Sequence, residues 1–186
     1  MNKQESIYKN IHQDIIERCR SGEQKAQFQI YKLYYKAMYN SCLRIVNNTS
    51  EAEDIMQESF LKAFDKIDSY KGEVSFGAWL KRIVINNSLD ELRKRKLEFD
   101  SIDDSVYELK DEEQNNSDFS PEIKAEDVKK EINNLPDGYR IALSLYLIEG
   151  YDHDEIGQIL NINSSTSRSQ CARAKKKLID RLKNNK

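Results

Sequence analysis

The chain has 186 residues, of which 38% are hydrophobic and 33% charged, and its formal net charge is −2. This length fits one ordinary domain or two small ones, and the modest apolar content favours two small cores over one large core. Two histidines and three widely spaced cysteines form no catalytic or metal-binding pattern, so we predict no enzyme activity, no cofactor, no metal and no small-molecule substrate.

The composition also predicts the fold class and the compartment. Six Gly and two Pro residues among many helix-forming residues predict an all-α protein. The sequence has no run of eighteen apolar residues, and its first ten, MNKQESIYKN, lack the apolar segment of a secretion signal. We therefore predict a cytoplasmic protein without membrane insertion. Cys19, Cys42 and Cys171 each fall in an apolar helical pattern, and we predict that they pack in the core.

The charges are segregated along the chain. Residues 98–127 hold twelve acidic residues and two lysines, a net charge of −10, whereas residues 1–97 and 128–186 each carry +4. The acidic stretch shows no sustained helical period before Pro121, which is typical of a flexible linker. We predict two small helical domains, residues 1–97 and 128–186, joined by an acidic flexible linker at 98–127.

The first domain is predicted to contain four helices. Apolar residues at three-to-four spacing indicate a short helix that stops near Ser21 and a longer one over residues 31–46. The third helix is predicted to begin at Ser50, whose side chain and that of Glu53 would form a capping box, and to run through Ile67. The fourth is predicted to be capped by Ser75 and to reach about residue 96.

The fourth helix has a face that changes character along its length. At 100° per residue, Trp79 and Ile83 lie on one stripe that continues as Asn86, Asp90 and Arg93. The polar end of this stripe is a candidate contact surface. Two alternatives remain open: the helix simply emerges from the core, and Trp79 belongs to that core.

The second domain is predicted to contain four helices, of which the last carries most of the cations. After a helix spanning residues 123–135, a second is predicted to start at Pro136 and to end at Gly150 in a left-handed cap. Asp152 and Glu155 would cap a short helix, Asn161 would occupy a tight turn, and the last helix would run from 163 or 164 to 182. Two short helices joined by such a turn are typical of a helix-turn-helix.

The last helix separates an inward from an outward face. We predict that the inward stripe consists of Ser167, Cys171, Ala174, Leu178 and Leu182. Small residues and cations share the outward face, which would allow close approach to DNA, base contacts from hydroxyls and Arg, and phosphate contacts. An ordinary solvated basic face remains the alternative.

Two segments then resemble a known family. EAEDIMQESFLKAFDKI and YKGEVSFGAWLKRIVINNSLDELRKRK resemble the second conserved region of the extracytoplasmic-function sigma factors, the two-domain members of the sigma-seventy family. LPDGYRIALSLYLIEGYDHDEIGQILNINSSTSRSQCARAKKKL resembles their fourth region. The resemblance implies a transcription initiation factor whose partners are core RNA polymerase, promoter DNA and an anti-sigma factor. A helix-turn-helix regulator that never touches polymerase is the alternative.

The resemblance also assigns residues to three surfaces. For binding to polymerase it implies Glu51, Glu53, Asp54, Gln57 and Glu58, although acidic residues in a first helical turn are also favoured by the helix dipole. For the −10 promoter element, nearer the start site, it implies Tyr70, Phe76, Asn86, Asn87, Asp90, Arg93, Lys94 and Arg95. For the −35 element, farther upstream, it implies Ser164, Ser165, Thr166, Arg168, Ser169, Arg173, Lys175 and Lys176.

Three residues depart from the family pattern in the second domain. Asn161 stands where glycine is usual, Ser167 where valine is typical, and Gln170 where a cation is frequent. These departures leave the expected fold unchanged, but they bear on the base contacts of the last helix.

Overall fold

The computed structural model describes residues 12–99 and 124–184, with side chains described for 12–95 and 124–183. Every regular element within these ranges is a helix, which confirms the predicted all-α class. The chain divides into two compact units between Leu92 and Arg93. No helix of the described part is long and apolar enough to cross a membrane.

The first unit is built around its second helix. It contains α1 (Gln13–Arg20), α2 (Gln24–Val46), α3 (Thr49–Asp65), a 3-10 turn (Ile67–Ser69) and most of α4 (Phe76–Phe99), which continues past the end of the unit at Leu92. Helix α2 packs against both α1 and α3. Its core includes the buried apolar side chains of Ile16, Ile30, Met56 and Leu80. Burial of this apolar surface is the main contribution to the unit's stability.

The start of α3 differs from the predicted one. The helix begins at Thr49, and the side chain of Asn48 accepts a hydrogen bond of 3.1 Å from the backbone N–H of Glu51. The predicted capping box of Ser50 and Glu53 is therefore wrong: Ser50 already lies inside the helix. Ile67 lies beyond the end of α3, in the 3-10 turn. The cap at Ser75 is confirmed, because its hydroxyl accepts from the backbone N–H of Ala78 at 3.2 Å.

The second unit surrounds its last helix. It contains α5 (Ala125–Asn133), α6 (Asp137–Leu147), α7 (His153–Leu160) and α8 (Ser164–Asn184), and α8 packs against all three others. The buried cluster of this unit joins α8 to α5 and α6. It consists of Ala174, Leu178 and Leu182 of α8, Leu143 of α6, Ile132 of α5 and Leu135, which follows α5. The predicted inward stripe of α8 is confirmed in full, including the polar Ser167.

Both residues predicted to adopt a left-handed conformation in the second unit do so, but α6 ends at Leu147 with Ile148 as its cap, before Gly150. Gly150 adopts φ = +80° after α6, and Asn161 adopts φ = +57° between α7 and α8. Asp152 and Glu155 form the predicted capping box at the start of α7. At the turn, a Cβ added to Gly157 would lie 2.8 Å from the carbonyl oxygen of Ile162, so the close approach of α7 to the following backbone requires a glycine here.

Most of the predicted linker, residues 100–123, lies outside the described residues, and α4 and α5 extend into its two ends.

The cysteines Cys19, Cys42 and Cys171 are free and buried, as predicted. Burial raises the pKa of each of the three thiols. Within the described residues no group of His, Cys, Asp or Glu is arranged to hold a metal ion.

Candidate nucleic-acid interface and docking face

The first turn of α8 is organised by one side chain. Asn163 precedes the helix, and its Oδ1 accepts hydrogen bonds from the backbone N–H of Thr166 at 2.7 Å, from the hydroxyl of Ser165 at 2.6 Å and from the hydroxyl of Thr166 at 2.8 Å. The hydroxyls of Ser165 and Thr166, two of the four predicted to contact DNA, therefore donate within the protein. Each hydroxyl oxygen can still accept a hydrogen bond from DNA. To donate one to DNA, the hydroxyl would first have to give up its bond to Asn163.

The outward face of α8 carries the predicted cations. Ser165, Arg168, Lys175 and Lys176 are exposed, whereas the other four residues predicted for the upstream element, Ser164, Thr166, Ser169 and Arg173, are half-buried. Arg168 lies alongside its own helix, with one guanidinium nitrogen 3.5 Å from the hydroxyl of Ser164. The structure thus brings all eight predicted residues onto one helix, with half of them fully accessible.

Lys175 and Ser167 touch residues that the sequence analysis did not assign to the site. Nζ of Lys175 lies 4.7 Å from the centre of the Tyr146 ring, on α6. The Tyr146 ring stacks on His153 of α7, and Nδ1 of His153 lies 3.0 Å from the hydroxyl of Ser167. His153 had no companion at metal-ligand spacing in the sequence, and no local pattern links it to Ser167, fourteen positions away.

In the first unit, the predicted downstream-element residues separate into exposed and buried sets. Asn86 and Asp90 are exposed one turn apart on α4, and Arg93, Lys94 and Arg95 follow on the same helix, with the first two exposed. This arrangement matches the predicted polar end of the stripe. The side chain of Lys96 lies outside the described residues.

Tyr70 and Phe76 belong to the core and not to the accessible surface. Their exposed fractions are 3% and 1%, and the two rings meet edge to face at 5.3 Å. Trp79, half-buried, packs against both. The hydroxyl of Tyr70 donates to the carbonyl of Val74 at 2.7 Å, which closes the loop before α4. The expectation that Tyr70 and Phe76 contact a base directly does not fit this burial; they hold the loop instead.

Asn87 also has a different place from the predicted one. Its Nδ2 donates to the hydroxyl of Ser59 at 2.8 Å, and its Oδ1 accepts from Lys62 at 3.4 Å. The hydroxyl of Ser59 in turn donates to the carbonyl of Ile55. Both ends of the Asn87 amide are therefore engaged with α3, and the residue braces α3 against α4.

The predicted polymerase-binding residues form one face of α3. Glu53, Asp54, Gln57 and Glu58 are exposed, and Glu51 is half-buried. Glu58 forms an ion pair with Lys62 one turn later, at 2.8 Å. The acidic face is therefore accessible at four of its five predicted positions.

An apolar groove adjoins this acidic face. It has a volume of about 430 Å³ and lies between α2 and α3, and Phe28 and Leu61 on its walls are 56% and 65% exposed. Gln57 belongs to both the acidic face and the groove. The sequence analysis missed the groove, although Phe28 and Leu61 interrupt the polar faces of their helices and could have indicated it. Large apolar side chains exposed beside a groove make it a candidate surface for binding a partner.

Comparison with known proteins decides the family. Residues 30–98 match the model of sigma-70 region 2, and residues 125–178 match that of sigma-70 region 4. The chain is 31% identical over 178 residues to the ECF RNA polymerase sigma factor SigW of Bacillus subtilis, covering 90% of this chain and 95% of SigW. The chain belongs to the extracytoplasmic-function sigma factors.

Other relatives of this sigma factor agree. It is 30% identical over 173 residues to the ECF RNA polymerase sigma-E factor of Escherichia coli K12, covering 88% of this chain and 90% of the relative. Among solved structures, the sigma factor RpoE of Bartonella quintana, in complex with the anti-sigma factor NepR, superposes with a TM-score of 0.59 at 25% identity. That likeness covers 85% of this chain and 97% of RpoE. The resemblance seen in the sequence is thereby confirmed.

Proposed function

We propose that this sigma factor binds core RNA polymerase and directs it to promoters, with α8 at the upstream element and α4 at the downstream element. The observation that carries the proposal is the presence, in one chain and in order, of matches to sigma-70 regions 2 and 4. As a sigma factor the protein is not an enzyme, because bond formation belongs to the polymerase.

The docking face on polymerase is proposed to combine the acidic side of α3 with the adjoining groove. Glu53, Asp54 and Glu58 supply negative charge, and Phe28 and Leu61 supply exposed apolar surface beside it. Such a surface fits a partner segment that carries both cations and an apolar side chain, because charge complementarity orients the encounter while apolar burial supplies affinity.

For the downstream element, the proposal rests on the exposed end of α4. Asn86 and Asp90 offer donors and acceptors suited to base edges, and the cations at 93–95 are suited to phosphates. The buried Tyr70 and Phe76 fix the preceding loop, in which Val74 is exposed, and so position the surface without forming it.

For the upstream element, Arg168 is the central residue of the proposal. It is exposed on the first half of α8, with Ser165 one turn before it. An Arg side chain there can make two parallel hydrogen bonds to a guanine in the major groove. Arg173, Lys175 and Lys176, farther along the helix, are proposed to bind phosphates.

The partners and the compartment follow from this role. We propose that an anti-sigma factor regulates the protein, since one similar solved structure is of a sigma factor bound by an anti-sigma factor. The site of action is proposed to be the cytoplasm, where polymerase and DNA are. A helix-turn-helix regulator independent of polymerase is not favoured, because it leaves the region 2 match over 30–98 without a role.

The direct test is transcription by purified core polymerase, with and without this chain, on DNA templates randomised at both promoter elements. We expect specific transcripts only when the chain is present. If the chain binds DNA by itself but never supports initiation with the core polymerase of its own organism, the independent regulator is the correct function.

Arg168→Ala tests the upstream assignment. We expect the variant to lose about 1–3 kcal/mol of discrimination at the upstream element, with core binding unchanged. The measurements are transcript selection from the randomised templates and the dissociation constant for core polymerase. Lys183→Ala, an exposed cation at the far end of the same helix, is the control and should change neither. Equal loss of selection and of core binding would mean that Arg168 is structural.

A further inference from the structure

A polar contact crosses the interior of the helix-turn-helix. Ser167 on α8 is fully buried, at 0% exposure, and its hydroxyl lies 3.0 Å from Nδ1 of His153, the first residue of α7. Either tautomer of a neutral imidazole supports this hydrogen bond, with the ring nitrogen as acceptor or donor. Because a buried hydroxyl without a partner is costly, the contact is one that the folded state strongly favours.

The His153 ring is itself held in place by α6. It stacks on Tyr146 with ring centres 4.7 Å apart and planes 9° from parallel. Lys175 of α8 lies over the same Tyr146 ring, 4.7 Å from its centre. The contacts therefore run from α8 through α6 and α7 and back to α8, so that the recognition helix is attached at two points to the helices that support it.

We propose that His153 is a positioning residue for promoter recognition, which fixes the rotation of α8 through its hydrogen bond to Ser167. The inference rests on the proposed function of α8 at the upstream element. The sequence selectivity of α8 would then depend partly on His153, which lies on α7 and need not contact DNA.

Geometry explains why a hydrogen bond does this better than apolar packing. The hydroxyl lies roughly 5 Å from the helix axis, so a rotation of about 20° would move it by about 1.7 Å. A displacement of that size away from His153 would take the pair from 3.0 Å to beyond hydrogen-bonding distance. Apolar contacts are non-directional, so the packed stripe of α8 specifies its rotation less sharply than the hydrogen bond does.

The same rotation would displace the groups that face DNA. The guanidinium of Arg168, next to Ser167 in the chain, would move by about 2 Å. A hydrogen bond to a base edge does not survive a shift of that size. A helix that rotates freely would keep its phosphate attraction but lose discrimination between sequences.

The decisive comparison uses two substitutions of nearly identical shape. Ser167→Thr keeps a hydroxyl, whereas Ser167→Val replaces it with a methyl group. The full chain is assayed with core polymerase on templates randomised across the upstream element, and the measured quantity is the enrichment of preferred sequences. We expect Ser167→Thr to remain within about twofold of wild type and Ser167→Val to lose about tenfold, when both are measured at a temperature where circular dichroism shows each protein fully folded.

His153→Ala and the double variant complete the test. We expect His153→Ala to match Ser167→Val and the double variant to lose no more than either single one, because the two residues act through one contact. Ser144→Ala is the control: this buried hydroxyl in α6 has no hydrogen-bond partner among the described residues, so its removal should leave enrichment unchanged. If Ser167→Val does not fold, the half-buried His153 carries the test with His153→Ala.

Wild-type enrichment with Ser167→Val or His153→Ala would overturn the inference, and so would losses that add in the double variant. A loss of enrichment that is seen only at temperatures where the variant is partly unfolded would also overturn it, since the contact would then be purely structural. A wild-type chain that never supports initiation would instead refute the proposed function, so the two failures are distinguishable.

Discussion

The residue that caps α3 shows how single side chains decide where a helix begins. Ser50 and Glu53 have the spacing of a capping box, but Asn48 is the residue whose side chain accepts from the backbone of the first turn. Asn47 immediately before it adopts φ = +55°, which ends α2 and sets the direction in which the chain enters α3. A residue can cap a helix only if its own backbone is non-helical, as that of Asn48 is at φ = −138° and ψ = 127°.

Asn48→Ala should therefore lower the free energy of unfolding by about 1 kcal/mol, because the first turn of α3 loses its acceptor. Urea denaturation of the two proteins measures the difference. Ser50→Ala is the matched control and should change stability by less than about 0.5 kcal/mol, since Ser50 is exposed within the helix. The reverse order of effects would mean that the capping box forms in solution.

The buried thiol of Cys42 gives the first unit a specific response to alkaline pH. Burial raises the pKa of Cys42 from 9.0 to about 11. Since the thiol ionises more easily in the unfolded chain, its contribution to stability is fully present below about pH 9 and is lost as pH rises towards 11.

Wild type should accordingly lose stability relative to Cys42→Ala between about pH 9 and 11, while the difference between them stays constant from pH 6 to 8. Urea denaturation across this range measures it. Cys19 and Cys171 are present in both proteins, so their own ionisation cancels. Parallel pH profiles would show that the Cys42 thiol is as accessible to water in the folded state as in the unfolded one.

The positions of the helices were largely predictable from the sequence, whereas the surfaces formed between helices were not. The apolar period located α2, α4 and α8 and predicted the inward stripe of α8, because periodicity reports which side of a helix avoids water. The groove between α2 and α3 depends on how two helices lie together. No pattern within either helix specifies that arrangement.

Leu61→Asp tests the groove as part of the docking face. We expect the affinity for core polymerase to fall at least tenfold, because a charge would replace apolar surface at the proposed interface. Leu33→Asp provides the control: Leu33 is also exposed, on α2, but does not line the groove. Titration of labelled sigma factor with core polymerase measures both. An equal effect of the two substitutions would show that the groove has no special role in docking.

The net charge of the whole chain is only −2, but the segments proposed to contact DNA carry clustered cations. Two kinds of contact should respond differently to salt. Phosphate contacts release counterions and weaken as salt rises, whatever the base sequence, while base contacts discriminate between sequences. Lys176 and Arg168 on α8 represent the two kinds.

Lys176→Gln should reduce the slope of log affinity against log salt by about 1 for the complex of core polymerase and sigma factor on promoter DNA. The loss should be similar for preferred and altered upstream elements, in contrast to that of Arg168→Ala. Filter binding between about 50 and 200 mM salt measures the slope. Lys183→Gln should leave it unchanged. A loss confined to the preferred sequence would make Lys176 a base-reading residue.

The sequence by itself determined the all-α class, the helix-turn-helix with its caps and its left-handed Asn161, and the family. The helices, caps and turn are local features, since they follow from helical periodicity and from residues a few positions apart, whereas the family follows from the resemblance of two segments to known regions. Only the tertiary structure decided which predicted side chains are available. It buried Tyr70 and Phe76, engaged Asn87 with α3 and paired His153 with Ser167. The physical reason is that a side chain's partners come from elements distant in sequence, and their packing, not the local pattern, determines what remains exposed to bind.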